Sequence, residues 1–172
     1  ETYMAPSFNP PADAIALAGL DYGLKAILRA VDDGRDLQAR RDMMVCALHG
    51  ALAFQKGLGA VHALSHPLGA IRGLALHHGT LNAVLMPAVL RFNRDAIGEK
   101  WDTLAQRMGG PPDTVIEGLS RRLGLPGGLA AMGVTEALVE QVAPAALKDH
   151  CHATNPRSAK VEDYLAIGRE AL

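Results

Sequence analysis

The chain has 172 residues, a length that suits one domain and can bury a substantial core. Its net charge of -1 at pH 7 offers no basic surplus for a nucleic-acid backbone or an anionic membrane surface, so neither is an expected partner. Apolar residues make up 49% of the sequence and aromatics only 4%, so the core must come from Ala, Leu, Val, Ile and Met, many of them strong helix formers, and an all-α helical bundle is expected.

Glu1-Thr2-Tyr3-Met4 reads as the tail of a helix that begins upstream. Asn9 can cap the next helix with Pro10 in its first turn, where the missing amide donor costs nothing. Leu20, Leu24, Ile27, Leu28 and Val31 continue at helical spacing until Asp32-Asp33-Gly34. A second helix is expected from Asp36 to about Gln55, where Ala47, Gly50, Ala51 and Ala53 provide a small face for close packing. Gly57, Gly59 and Gly69 bracket a short helical segment, Ala60 to Leu68, that Pro67 must bend or end. A further pattern opens at His77-His78-Gly79 and closes near Asn93, with Pro87 placed to kink it. Amphipathic helices follow at about Ala96 to Met108, Thr114 to Leu123, Thr135 to Leu147 and Val161 to Leu172. The Gly and Pro breaks between them are short enough to be loops within one unit, so residues 1–172 read as one helical domain. No β-alternation and no internal repeat stands out.

Cys46 and Cys151 lie far apart and outline no disulfide framework, which fits a reducing, cytoplasmic setting. No stretch approaches the roughly 20 apolar residues that span a bilayer, and no basic leader precedes an apolar run.

Chemistry concentrates at His62 and His66. Four residues apart on a helix, both imidazoles project from one face and can meet at one metal or substrate. His77 and His78 arrive soon afterwards. Imidazole suits iron, zinc, copper and nickel, yet spacing alone leaves a metal site and a chance pairing equally open. Asp149-His150-Cys151-His152 has soft-metal residue types, but adjacent side chains point in different directions and are not expected to converge. Asp13, Asp21, Asp32 and Asp33 have no spacing that relates them to His62. Arg40-Arg41-Asp42 and Arg121-Arg122 read as solvated helix faces, and Met43-Met44 reads as core rather than a copper site.

The run Gly57-Leu58-Gly59-Ala60-Val61-His62-Ala63-Leu64-Ser65-His66-Pro67-Leu68-Gly69-Ala70, followed by His78-Gly79-Thr80-Leu81-Asn82-Ala83-Val84-Leu85-Met86-Pro87 and Arg91-Phe92-Asn93, resembles the signature of iron-containing (group III) alcohol dehydrogenases. Ala53-Phe54 and Asn155-Pro156-Arg157 extend the resemblance over nearly the whole chain, to the C-terminal helical domain of that family. The resemblance implies a divalent metal, iron or possibly zinc, held by one aspartate and three histidines. His62 and His78 match two of those histidines, and His66 matches a histidine near nicotinamide and substrate that is not a ligand. The connection from His66 to His78 is slightly longer than the family pattern and carries His77, which is assigned to an outer or solvent-facing position because Gly79 and Asn82-Ala83 follow His78 in register. The family's other two ligands lie in an Asp-x-x-x-His motif just before the segment resembling Glu1-Thr2-Tyr3, and this chain does not contain it. No glycine-rich dinucleotide fingerprint follows a strand either, so the N-terminal nucleotide-binding domain is expected to lie outside these residues.

The complete enzyme is therefore expected to interconvert alcohols with aldehydes or ketones, using NAD or NADP, with His66 orienting the substrate or relaying its hydroxyl proton. The isolated chain, with half the ligands, is expected to be inactive. Rival readings are a maleylacetate reductase of the same superfamily, a stand-alone helical module without catalysis, and a small metal carrier using His62, His66, His77 and His78 together. Homo-oligomeric assembly is compatible with the sequence, which does not decide it.

Overall fold

The computed structural model describes all of residues 1–172. Eight α-helices follow one another with no β-strand: α1 (Pro10–Asp32), α2 (Leu37–Ala53), α3 (Ala60–Gly69), α4 (His78–Ile97), α5 (Glu99–Met108), α6 (Pro112–Arg122), α7 (Glu136–Ala146) and α8 (Val161–Glu170). Short 3-10 turns sit at Thr2–Met4, Phe54–Lys56, Ala130–Met132 and His150–Thr154. No single helix is long and apolar enough to cross a membrane.

The helix starts follow capping chemistry. Asn9 accepts from the Ala12 amide, Asp36 from Ala39 and Thr135 from Leu138, which satisfies amides that have no partner inside the helix. Pro67 is carried inside the last turn of α3, which stops at Gly69. The expected break near Asn93 is not there. The chain stays helical through Pro87 and Asn93 to Ile97 and turns at Gly98, whose φ of 48° suits a residue without Cβ, before α5 begins at Glu99.

The main core lies where α3, α4, α7 and α8 meet. Val61, Leu64 and Leu68 pack with Leu81, Leu85 and Val89, and with Val139, Tyr164 and Ile167, all nearly or fully buried. Each such leucine contributes about 2 kcal/mol by leaving water. α7 and α8 approach so closely that a Cβ on Gly168 would fall 2.4 Å from Val139 Cγ1. A smaller cluster of Met4, Leu90, Ile97, Trp101 and Leu104 joins the first turn to α4 and α5.

α1 and α2 form a hairpin whose close contact depends on glycines of α1. Gly19 leaves room for His49, and Gly23 for the Cys46 thiol. Two expectations for α2 are corrected here. Ala47 and Ala51 face solvent, so only part of the expected small-residue face is used, and Met44 is 74% exposed rather than core. The reason is that α2 has apolar residues on both sides, and α1 covers only one of them. Leu37, Leu48 and Leu52 are exposed along with Met44.

Candidate metal centre

α3 begins against two side chains from distant parts of the chain. Asn155 Oδ1 accepts from the Ala60 amide at 3.0 Å, and Glu1 Oε1 accepts from Val61 at 2.9 Å and His62 at 3.4 Å. A carboxylate at this end of a helix also meets the favourable end of the backbone dipole. Gly59 permits the approach, because a Cβ there would sit 2.7 Å from Asn155 Oδ1. Asn155 and Asn93 exchange reciprocal amide bonds, with Asn155 Nδ2 donating at 2.9 Å and Asn93 Nδ2 at 3.0 Å. Arg157 donates to the Phe92 carbonyl at 3.0 Å and lies over the Phe92 ring. Arg91-Phe92-Asn93 and Asn155-Pro156-Arg157 are thus two halves of one clasp that fixes the start of α3.

His62 and His66 project from α3 toward His78 at the start of α4. Their ring centroids form a near-equilateral triangle: His62–His66 5.6 Å, His62–His78 5.2 Å and His66–His78 5.6 Å. Phe54 lies edge-on to His62 at 6.1 Å and is half exposed. His77 stands apart and exposed, where its Nδ1 accepts from the Thr80 amide and caps α4.

The hydrogen bonds decide which nitrogens are available. Glu1 Oε2 contacts His62 Nδ1. A carboxylate is an acceptor only, so Nδ1 carries the proton and Nε2 keeps its lone pair. His62 Nε2 and His78 Nε2 both face the Asn82 amide nitrogen, at 3.3 and 3.1 Å. That electropositive NH2 group stands where two imidazole lone pairs converge, as a cation would. The other atom of the same amide, Asn82 Oδ1, is buried without a partner. Partial desolvation lowers the pKa of the largely exposed His78, and the neighbouring His62 and His66 lower it further, which favours the neutral imidazole that metal binding needs. The residues therefore fit a divalent cation.

His66 is held differently. Its Nδ1 lies 2.8 Å from Asp149 Oδ2. Burial raises the Asp149 pKa, but hydrogen bonds from Cys151 and His66 outweigh it and hold the carboxyl below its ordinary range. The ionised carboxylate fixes the Nδ1 proton and leaves Nε2 of His66 free to accept.

The segment Asp149-His150-Cys151-His152 departs from expectation. The 3-10 turn brings Asp149, His150 and Cys151 together beside His66, while His152 turns away to the Tyr164 hydroxyl at 2.9 Å. The pairings of Glu1 with His62 and Asp149 with His66 had no local signal in the sequence, since they bridge 61 and 83 residues. Asp13 pairs with the buried Lys56, not with the histidines. A cavity of about 400 Å³, lined by Pro87, Arg91, Glu117 and Leu172 among others, borders none of the histidines. The convergent lone pairs, rather than cavity size, mark the site.

Comparison with known proteins places the sequence and the fold in a family. Residues 1–172 match the family described as Fe-containing alcohol dehydrogenase family, C-terminal. The chain is 51% identical to a 4-hydroxybutyrate dehydrogenase of Cupriavidus necator, over 100% of this chain and 48% of that protein. It is 35% identical to a 1,3-propanediol dehydrogenase of Klebsiella pneumoniae, over 100% of this chain and 47% of that protein. Among solved structures, a 1,3-propanediol oxidoreductase superposes with a TM-score of 0.95 at 34% identity, covering 100% of this chain and 48% of its own. A maleylacetate reductase from Rhizobium superposes with a TM-score of 0.82 at 28% identity, covering 100% of this chain and 48% of its own. The chain thus spans about half the length of the curated relatives it matches. By sequence match and by fold, it belongs to the iron-containing alcohol dehydrogenase family, as the C-terminal helical region.

Proposed function

We propose that this chain is the metal-binding helical half of an NAD(P)-dependent dehydrogenase that interconverts a small alcohol and its aldehyde or ketone. The observation that carries the reading is the convergence of His62 Nε2 and His78 Nε2 on one point, with the His62 tautomer held by Glu1. A divalent metal there, iron or zinc, would supply Lewis acidity toward the substrate oxygen. An aspartate and a further histidine from a preceding segment would complete the ligand set, and a nucleotide-binding half would supply the hydride partner, since these residues contain no β-sheet to build one.

His66 handles the proton. Asp149 holds its Nδ1, so Nε2 can take the hydroxyl proton when an alcohol is oxidised and return it when a carbonyl is reduced. His66 lies beside His62 and His78 without sharing their contact to Asn82, as a proton carrier separate from the ligands would. Phe54, edge-on to His62, gives the site an apolar wall that suits an alkyl chain.

Likeness to the Cupriavidus protein makes 4-hydroxybutyrate the first substrate to try, with 1,3-propanediol next. The test is metal-loaded complete enzyme assayed for reduced nicotinamide with each alcohol, and for its oxidation with maleylacetate. Turnover on an alcohol is expected, and turnover on maleylacetate alone would overturn the reading in favour of the reductase branch. His66→Gln is expected to lower kcat by about a hundredfold, the scale of general acid–base catalysis, with metal content unchanged. An unaltered kcat in that variant would remove His66 from the proton step.

A further inference from the structure

We infer that His66, Asp149, His150 and Cys151 form a second cation site, for a soft or borderline divalent ion such as zinc or cadmium, beside the His62–His78 pair. One ligand atom from each of the four lies within 4.8 Å of every other. Two imidazoles, a thiol and a carboxylate are the donor types that four-coordinate zinc takes in proteins. They come from two elements, α3 and the 3-10 turn after α7, so the grouping is tertiary and does not follow from sequence adjacency.

The arrangement is held before any ion arrives. The Cys151 amide donates to Asp149 Oδ1 at 2.8 Å, which aims Oδ2 at His66 Nδ1, also at 2.8 Å. The Cys151 sulfur lies 3.4 Å from His150 Nε2. The His150 ring stacks on His66 with centroids 5.8 Å apart and an interplanar angle of 22°. Exposure is graded in a useful way: Cys151 is 1% exposed at the base, while the His150 side chain is 82% exposed at the entrance. An ion can enter past His150 and be held from beneath.

Burial, aided by Asp149, pushes the Cys151 thiol up to about 12, so the free site carries a neutral thiol. Binding breaks the S–H bond, forms a metal–sulfur bond and releases the proton to solvent, with no change in oxidation state. The thiol also separates this site from the first one. Thiolate favours zinc and cadmium, whereas the His62–His78 pair has no sulfur within its grouping. The consequence for activity rests on the proton role proposed above for His66, because an ion on that imidazole would withdraw it from proton transfer. Binding itself does not rest on that role.

Cadmium reports directly on sulfur through its thiolate charge-transfer absorption in the ultraviolet. The two cysteines are Cys46 and Cys151, so the full chain is titrated with cadmium chloride in a Cys46→Ser background, without substrate or nucleotide. A saturable band is expected there, and its absence would overturn the proposal. The band should vanish in Cys151→Ser. His150→Gln alters an exposed side chain and should leave the fold intact, which circular dichroism checks. It and Asp149→Asn should each weaken cadmium at least about tenfold, no less than losing an outer partner of a ligand would. Unchanged affinity in both would mean a lone thiol and would overturn the site. The band should persist in His62→Gln and His78→Gln, and its loss there would assign the ion to the first site. Because no turnover is measured, failure here leaves the dehydrogenase reading standing, and failure of that reading leaves this titration interpretable.

Discussion

The α1–α2 hairpin, two helices of 23 and 17 residues, and the α3, α4, α7 and α8 core, three of whose helices have only 10 or 11, are held in different ways. The core closes over Leu64, Leu68, Leu81 and Leu85 on all sides. The hairpin buries mainly small residues, Ala12, Gly19 and Ala26 on α1 and Ala39 and Ala53 on α2, and leaves Met44, Leu48 and Leu52 outside. Leu17 and Leu20 of α1 rest against the smaller cluster around Met4 and Trp101, and buried polar contacts add to this hold. Lys56, fully buried, pairs with Asp13 on α1 and donates to the Tyr3 carbonyl at 2.9 Å, while Lys100 from α5 donates to the same carbonyl at 3.0 Å. The three histidines stand on the core helices, where packing fixes rotamers and position. The hairpin touches the site only at its end, through Phe54.

Three substitutions sharpen this contrast. Leu64→Ala opens a cavity in the closed core and should cost about 3 to 4 kcal/mol, read from the urea midpoint. A loss below about 1 kcal/mol would mean the core collapses around the gap and is looser than described. Asp13→Ala leaves the Lys56 ammonium buried without its counter-ion and should cost about 3 kcal/mol, at the lower end for such pairs because Asp13 retains contact with water. If the apolar contacts of Leu17 and Leu20 alone held the hairpin, that variant would be nearly neutral. Leu48→Ala, at a position 58% exposed, should change stability by no more than about 0.5 kcal/mol. A large loss there would show that the outer face of α2 is covered in solution.

The sequence made some of this legible and hid the rest for identifiable reasons. α1 was readable because Asn9-Pro10 marks its start and Asp32-Asp33-Gly34 its end, all local signals. The α4–α5 boundary was not, because its cause is a single backbone conformation at Gly98, and an isolated glycine does not announce a positive φ. Met44 was misplaced because helical spacing says that a face is apolar but not whether anything covers it. At the site, His62 and His66 were visible as an i, i+4 pair, and His78 entered through its register with Gly79 and Asn82. Asp149 was noticed only within the Asp149–His152 run and Glu1 only within a helix tail, and their pairing with His66 and His62 was hidden because each meets its histidine from a distant part of the chain. Asn93 and Asn155 were noticed as motif residues, but only the fold shows that they bond to each other.

The central claim is that His62 and His78, rather than His77, hold the metal, and elemental analysis of the complete enzyme tests it directly. Iron or zinc is to be measured after dialysis in wild type and in His62→Gln, His78→Gln and His77→Gln, all in a Cys151→Ser background that disables the second site. Stoichiometric metal is predicted in wild type and in His77→Gln, with loss in each of the other two. Metal retained in both His62→Gln and His78→Gln would contradict the account.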